Sequence, residues 1–361
     1  MHQKGVAVIA ITRRGVETAL KIKKALDAEG LPSNVYAPKK YSQAGVVSLD
    51  VKFSDFIKDN YGKVDALVAV MATGIVIRAV APFLESKLTD PAVIGVDAAG
   101  KFVISLLSGH YGGANELTKL IAKGIKATPV ITTASDVMGK QSVDELARIL
   151  RLDIQNPESL VAVNAAIVNG DSVVLVLVGD VKVPVELVNG FEIKKAKNGA
   201  RALEIVNSYD AGAIVTREPL NIDKFVKPFT ILKAKRFVVG LGCRKNSSAE
   251  SIVDAVNAAL KRISLPAGRI DCFASVDIKK DSVAMLEAAK MLGAPLEFLS
   301  VDALGSLNHK DLSPDSAMVQ EKIGVGGVCE RAALIVAGKN SRLILKKTKR
   351  NGVTVAIAEG E

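Results

Sequence analysis

The sequence predicts an α/β protein, in which three-layer α/β/α domains at the two ends flank a smaller α+β middle module. In both outer thirds, apolar strand-like runs alternate with amphipathic helical patterns, as is typical of doubly wound sheets. The middle third has short β-branched runs broken by Asn-Gly pairs. With 361 residues, 49% of them hydrophobic, the chain is long enough for two or three packed cores. We therefore expect domains over 1–130, 131–235 and 236–361.

The amino-terminal domain is expected to begin with a strand at 5–12 and a helix at about 16–29. The segment Thr12-Arg13-Arg14-Gly15 between them is either a helix cap or an anion contact. Further strands are predicted at 35–37, 66–70, 102–107 and 129–132, and helices at 53–61, from 114, and at 142–152. Ser135-Asp136 is either a cap or a ligand contact.

The middle module is expected to be built from short strands at 161–168, 172–178, 183–187, 191–194 and 211–216. Asn169-Gly170 and Asn189-Gly190 are typical of two-residue hairpin turns. The module shows no cluster of reactive side chains.

The carboxyl-terminal domain is predicted to open with a strand from 237, a Gly-x-Gly turn and a helix with a capping box at Ser247 and Glu250. Strands at 270–276 and 296–300, helices at 282–292 and 332–337, and a β pair at 343–349 and 353–358 follow. The polar stretch 304–316 is either a mobile lid or a plain surface loop.

The first chemical signal follows the apolar run 66–70. Thr73 and Gly74 stand at an expected helix start, where free backbone N–H groups can bind an anion. Arg78 lies one turn later and can pair with the same anion.

The second signal is Ser108-Gly-His-Tyr-Gly-Gly-Ala-Asn-Glu, which places His110 at a strand-to-helix corner. Imidazole has an unperturbed pKa of about 6.5 and suits proton transfer near neutrality. Glu116 is expected to orient His110 or to act as a base, and Asp90 to contact substrate. The structural alternatives are a hydrogen-bonding role for His110, a helix N-terminal acid at Glu116, and a turn at Asp90.

The third signal is the Gly-x-Gly turn at Gly240 and Gly242, which leaves Arg244 facing an anion. Lys245 stands where a dinucleotide fingerprint needs a third glycine, which argues against a nucleotide site. Lys279 and Lys346 are either carboxylate binders or surface charges.

The net charge of +10 is unevenly distributed: +6 over 1–127, zero over 128–235 and +4 over 236–361. Cationic outer thirds favour a polyanionic ligand, either nucleic acid or a small molecule that carries many carboxylates. Aromatic residues make up only 4% and tryptophan is absent, which argues against a base-stacking surface.

Cysteine usage and the amino terminus indicate a cytoplasmic location. Cys243, Cys272 and Cys329 are too far apart for a disulfide framework or a CxxC metal site. The apolar run 6–11 is too short for a signal peptide or a membrane span.

Several motifs resemble one family. ATGIVIRAVAPFL, KLTDPAVIGVD and ISLLSGHYGGANELTKLIA resemble the amino-terminal domain of the cobalamin biosynthesis protein G family (CbiG). VGLGCRKNSSAESI, ASVDIKKD, GVGGVCERAAL and LKKT resemble its carboxyl-terminal domain, in the same order. The resemblance covers essentially the whole chain, with the middle matched by position more than by motif.

The resemblance implies hydrolysis of cobalt-precorrin-5A in anaerobic cobalamin synthesis: opening of the ring A acetate δ-lactone and release of acetaldehyde, giving cobalt-precorrin-5B. It implies no cofactor, because cobalt comes with the substrate. The expected partner is the tetrapyrrole, without nucleic acid or membrane; a homodimer and transient contacts with other corrin-pathway enzymes stay open. The alternatives are a non-catalytic corrinoid carrier and, more remotely, a nucleic-acid-binding protein.

On this basis we expect catalysis by His110, Glu116 and Asp90, and no metal ligands. Catalysis by Cys243 or Cys329 with His110 is disfavoured, because a lactone needs no thiol nucleophile. The residues expected to bind substrate are Thr73, Gly74, Arg78, Gly109, Gly112, Gly113, Asn115, Gly240, Gly242, Arg244, Lys279, Gly326, Glu330 and Lys346.

Overall fold

A computed structural model describes residues 4–220, 227–314 and 325–361. The chain forms two compact units, Met1–Arg148 and Ile149–Glu361. The first unit holds one sheet, and the second holds two. These sheets lie within 6–130, 152–234 and 236–360, while the exact domain borders stay a prediction. Among the described residues, no helix is long and apolar enough to cross a membrane.

The first sheet has seven strands in the order β3-β2-β1-β4-β5-β6-β7. They are β1 (Val6–Ala10), β2 (Ser33–Pro38), β3 (Val46–Leu49), β4 (Ala66–Val70), β5 (Ala92–Val96), β6 (Phe102–Leu107) and β7 (Thr128–Val130). All neighbouring strands are parallel except β5 and β6, which are antiparallel.

Helices cover both faces of this sheet. They are α1 (Arg13–Ala28), α2 (Phe53–Asn60), α3 (Thr73–Val80), α4 (Ala114–Ile125), α5 (Ala134–Val137) and α6 (Val143–Leu150). Helices α1 and α4 pack with Val8 on one face, and α2 and α3 pack with Ile9 on the other. Successive strand residues alternate between two apolar cores, which confirms the predicted three layers.

The reversal between β5 and β6 decides where the candidate residues lie. Asp97 makes the turn, because its carboxylate accepts hydrogen bonds from the N–H groups of Ala99, Lys101 and Phe102 at 2.7–2.9 Å. Gly100 completes it with a φ of 69°. The carboxyl end of β6 therefore lies at the opposite end of the sheet from the carboxyl ends of β1 and β4.

The middle sheet is mainly parallel, in the order β10-β9-β11-β12-β8. Its strands are β8 (Leu152–Ile154), β9 (Val173–Val178), β10 (Glu192–Ala196), β11 (Ala211–Thr216) and β12 (Phe229–Ala234), and its helices are α7 (Leu160–Asn169) and α8 (Gly199–Asn207). Only the β12–β8 pair is antiparallel.

The two hairpins predicted for the middle module are wrong. The apolar run 161–168 lies in α7, and Gly170 ends that helix in the left-handed conformation with a φ of 85°. Asn189-Gly190 leads into β10, which pairs with β9 in parallel. A short apolar run cannot be assigned to strand or helix by periodicity alone, and Asn-Gly also ends helices.

The third sheet has the order β15-β14-β13-β17-β16. Its strands are β13 (Arg236–Cys243), β14 (Cys272–Val276), β15 (Leu296–Leu299), β16 (Arg342–Arg350) and β17 (Val353–Gly360); its helices are α9 (Ala249–Ile263), α10 (Val283–Met291), α11 (Val301–Ser306) and α12 (Val328–Ala337). Helices α9 and α10 cover one face, and α11 and α12 the other.

Local predictions in this domain hold with small shifts. The predicted β pair forms, because β16 and β17 are antiparallel. The cap of α9 is Ser248, whose side chain accepts from Ser251 N, one residue later than predicted. The stretch 304–316 begins inside α11, and residues 315–316 lie outside the described part of the chain.

A buried arginine ties the two sheets of the second unit together. Arg269 is 0% exposed and donates to the carbonyl oxygens of Leu150 (3.0 Å), Lys182 (3.0 Å) and Lys235 (3.2 Å). Burial lowers the pKa of Arg269 to about 10, so it stays charged at neutral pH. Loss of the guanidinium would leave three carbonyl oxygens without their hydrogen-bond donor and would open a cavity in the packed interior.

Replacing Arg269 by Met is therefore expected to lower the free energy of unfolding by about 3–5 kcal/mol. Urea unfolding of the full chain measures the loss. Arg262→Met, at the exposed end of α9, is the matched control and should change stability by about 0.5 kcal/mol or less. Equal stability of the two variants would contradict a structural role for Arg269.

Candidate active site

His110 lies on the tight turn between β6 and α4. Ser108 begins the turn with a left-handed φ of 55°, and Gly113 ends it with a φ of 82°. A methyl group on Gly112 would lie 2.4 Å from Ser108 Cβ and 2.9 Å from its carbonyl oxygen, so only glycine fits there. The backbone therefore presents His110 from a fixed corner.

The imidazole of His110 lies between two carboxylates. Its Nε2 is 3.2 Å from Asp136 Oδ2 and 3.0 Å from Ser135 Oγ, and its Nδ1 is 3.5 Å from Asp144 Oδ2. The His110 side chain is 13% exposed and the Asp144 side chain 3%. We call His110, Ser135, Asp136 and Asp144 the imidazole cluster; it is largely buried but its imidazole still reaches the surface.

Asn115 holds the cluster in position. Its Nδ2 donates to Asp136 Oδ2 at 2.7 Å and to Thr133 Oγ1 at 3.0 Å. Its Oδ1 accepts from Ser105 Oγ at 2.7 Å. Gly109 allows this approach, since a methyl group on it would lie 2.8 Å from Asn115 Oδ1. Asn115 thus fixes the orientation of a carboxylate that contacts the imidazole.

The electrostatic environment favours the protonated imidazole. Burial by itself lowers the pKa of His110, but the hydrogen bond and charge of Asp144, with the charges of Glu145 and Asp136, outweigh it and raise the pKa. Burial also raises the pKa of Glu145, and the charge of Asp136 adds to this. His110 in the cluster and Glu145, next to Asp144 in the chain, are therefore two proton-carrying groups with raised pKa values.

Cations line the outer rim of the cluster. Lys119 Nζ is 3.1 Å from Asp136 Oδ1, and Lys87 Nζ is 3.8 Å from Asp144 Oδ2. Burial lowers the pKa of Lys119, but its hydrogen bond with Asp136 outweighs this and raises it. Both lysine side chains are about half exposed, so they can meet an anionic ligand at the surface.

Two predicted catalytic residues have other contacts. Glu116 does not contact the imidazole: its carboxylate pairs with Lys119 at 3.6 Å and is 52% exposed. Asp90 accepts the N–H of Glu85 at 3.2 Å, as the turn alternative predicted. Asp136 and Asp144 are the carboxylates that occupy the orienting position predicted for Glu116. A catalytic role for Glu116 or Asp90 stays a prediction.

Thr73, Gly74 and Arg78 do not join the imidazole cluster. Helix α3 begins at Thr73, directly after β4, and therefore lies at the opposite end of the sheet from His110. The Arg78 guanidinium folds back over the first turn, 3.6 Å from a methyl group built on Gly74. Thr12 caps α1 near this same end by accepting from Gly15 N at 3.1 Å.

The predicted residues of the carboxyl-terminal domain divide into two groups. Gly242, Arg244 and Lys279 line a cavity of about 410 Å³, together with Lys347, Lys349 and Arg350. Gly240 instead packs against α12, and Gly326 is buried and accepts from Arg331 Nε at 3.0 Å. The exposed Lys346 is not among the residues that line this cavity.

Glu330 shapes the cavity rather than facing it. It is 0% exposed, and its carboxylate accepts from Ser313 N at 2.9 Å, Ser313 Oγ at 2.8 Å and Lys347 N at 2.7 Å. These bonds fix the strand that carries Lys347. Cys329 is buried, which raises its pKa to about 11 and makes it a poor nucleophile.

Sequence reasoning missed Asp144, Lys347 and Lys349. In the sequence, Asp144 is an ordinary acidic residue in the first turn of a predicted helix, and its contact with His110 depends on the fold. Lys347 and Lys349 of β16 line the cavity, whereas the exposed Lys346 does not. Within the described ranges, no three His, Cys, Asp or Glu side chains are placed to hold a metal ion.

Fold and cluster together define the class: an α/β protein with a partly buried histidine–carboxylate cluster in its first unit and a cationic cavity in its second. Two protein-family models match the chain: cobalamin synthesis G N-terminal over residues 55–136, and cobalamin synthesis G C-terminus over residues 237–358. The chain belongs to this cobalamin synthesis G family.

Relatives cover almost the whole chain. A Priestia megaterium protein named cobalt-precorrin-5A hydrolase is 30% identical over 98% of this chain and 94% of its own. A Methanocaldococcus jannaschii protein named probable cobalt-precorrin-5A hydrolase is 31% identical over 98% of both. The solved structure of a cobalamin biosynthesis protein G homolog from Sulfolobus solfataricus superposes with a TM-score of 0.50, at 26% identity over 99% of this chain and 98% of that one.

Proposed function

We propose that the protein is a cobalt-precorrin-5A hydrolase, which opens the ring A acetate δ-lactone and releases acetaldehyde to give cobalt-precorrin-5B. The observation that carries the proposal is the imidazole of His110 held between Asp136 and Asp144. The names of the full-length relatives support the substrate.

Lactone opening adds one water across an ester. The water oxygen adds to the carbonyl carbon, the C–O bond to the alkoxide breaks, and the alkoxide takes a proton. The raised pKa of His110 favours the protonated imidazole, which can donate that proton. Glu145, whose pKa is also raised, is the candidate acceptor for the proton that leaves water.

Release of acetaldehyde reverses the direction of proton transfer. The new hydroxyl loses its proton as the C–C bond breaks to form the aldehyde, and the macrocycle carbon gains a proton. His110, left neutral by the first step, can accept the hydroxyl proton and return to its starting charge. One imidazole can therefore serve both steps, as acid and then as base.

No cofactor of its own is proposed, because the cobalt ion enters with the substrate. The proposed partner is the tetrapyrrole alone, and the proposed location is the cytoplasm. Lys87 and Lys119 on the rim of the cluster are suited to the peripheral carboxylates of the substrate.

Anaerobic incubation of the full chain with cobalt-precorrin-5A tests the proposal. One acetaldehyde should appear for each pigment molecule consumed. The mass of the pigment should fall by that of one acetaldehyde and rise by that of one water. A corrinoid carrier would keep the pigment bound and unchanged, and that result would reject the hydrolase.

The charge of His110 predicts a pH dependence of stability. Because its folded pKa is raised above about 6.5, its contribution is fully present below pH 6.5 and is lost as pH rises through the folded pKa. We expect the difference in unfolding free energy between the wild type and His110→Gln to shrink between pH 6 and pH 9. Urea unfolding at fixed ionic strength measures it; a difference that grows with pH would contradict a protonated imidazole.

A further inference from the structure

The cavity of the carboxyl-terminal domain is built from the ends of several elements. It lies at the carboxyl ends of β13 and β14, at the start of α12 and at the turn between β16 and β17. Its volume of about 410 Å³ falls in the range of small-molecule sites. All of its lining residues belong to the second unit, whereas the imidazole cluster belongs to the first.

The charge of this cavity is one-sided. Five cationic residues line it, and none of its described lining residues is acidic: the five are Arg244, Lys279, Lys347, Lys349 and Arg350. Arg350 is neutralised by Asp254, with Nε–Oδ2 at 2.6 Å. The other four have no carboxylate partner in the described part of the chain. Lys279 and Lys347 are also half buried beside this space.

Backbone donors add to the positive potential. Helix α12 is ten residues long and follows its N-cap residue Gly327, which has a left-handed φ of 60° and supplies no side-chain cap. Its first residues, Val328 and Cys329, line the cavity. The positive end of the helix dipole therefore lies beside the same space as the lysines.

We propose that this cavity binds the carboxylate side chains of a tetrapyrrole-like polycarboxylate, independently of the imidazole cluster. The proposal rests on the proposed function only for the identity of the natural ligand. The cations come from three separate segments, around residues 244, 279 and 347–350, and so surround the space. A ligand with several spread carboxylates matches this arrangement better than a single phosphate, which concentrates its charge at one point.

Binding of uroporphyrin, which carries eight carboxylates, to the full chain tests the proposal by fluorescence titration. Lys279→Gln and Lys347→Gln are each expected to weaken binding about tenfold, the effect of losing a partly buried charged hydrogen bond. Lys280→Gln is the matched control, because Lys280 is the exposed neighbour of Lys279 and does not line the cavity. His110→Gln should bind uroporphyrin as the wild type does.

Equal affinity of the wild type, Lys279→Gln and Lys347→Gln, at equal unfolding midpoints, would overturn the site. Displacement of uroporphyrin by an equal concentration of pyrophosphate would also overturn the proposal, since the cavity would then be a phosphate site. Should Lys347→Gln lower the unfolding midpoint, Lys279→Gln alone decides the outcome. A chain that binds uroporphyrin through these lysines but releases no acetaldehyde from cobalt-precorrin-5A would reject the proposed function and support this site.

Discussion

Replacing His110 by Gln is expected to lower the rate of acetaldehyde release by about 10²–10⁴-fold, the usual contribution of a positioned acid or base. Glutamine approximates the shape of imidazole and can still hydrogen-bond to Asp136, but it transfers no proton near neutrality. Single-turnover release of acetaldehyde from cobalt-precorrin-5A measures the chemical step directly.

His309→Gln is the matched control. His309 is also partly buried, and its Nε2 lies 3.1 Å from the carbonyl oxygen of Ser341, in the second unit. Its replacement should leave the rate within about twofold. Asp144→Asn should shift the falling limb of the kcat/KM profile to lower pH, because Asp144 raises the pKa of His110. A His110→Gln enzyme that keeps more than a third of the wild-type rate would reject the imidazole as the proton carrier.

Replacing Gly240 by Ala is expected to destabilise the protein by about 3 kcal/mol or more, at the upper end of overpacking effects. A methyl group there would lie 1.8 Å from the carbonyl oxygen of Cys329 and 2.7 Å from its carbonyl carbon. Both atoms belong to the backbone of α12, so β13 and the helix must move apart. Urea unfolding measures the loss.

Gly305→Ala is the control for this substitution. Gly305 lies inside α11, where a methyl group would meet, among the described residues, only the side chain of Val325, at 3.3 Å. Its replacement should change stability by about 1 kcal/mol or less, since alanine also favours the helix. A Gly240→Ala protein as stable as this control would show that the contact with Cys329 is easily relaxed.

Strands were predictable where burial on both faces makes the apolar run continuous. β4, in which every residue is buried, begins and ends as its sequence predicts, and so does β6, although it is only partly buried. The prediction for the middle module was wrong at 161–168, because this run is as apolar as a buried strand but forms α7. Its helical nature depends on packing against neighbouring strands, which no local pattern records.

The candidate site was predictable in part. The glycine pattern around His110 identified a tight corner, and the structure shows why Gly112 must be glycine. The pairing of His110 with Asp144 joins residues 34 positions apart and depends on the fold. The turn Asp97-Ala-Ala-Gly100, which reverses β6 and separates His110 from Thr73, was not predicted from the sequence.

The position of α5 and α6 sets the smallest fragment that preserves the imidazole cluster. Asp136 and Asp144 follow the last strand of the first sheet, which ends at Val130. A fragment cut at the predicted border of 130 would keep its sheet and its histidine but lose both counter-ions, and with them the causes that raise the pKa of His110. Transplanting this chemistry to another scaffold therefore requires the segment up to Arg148, where the first unit ends.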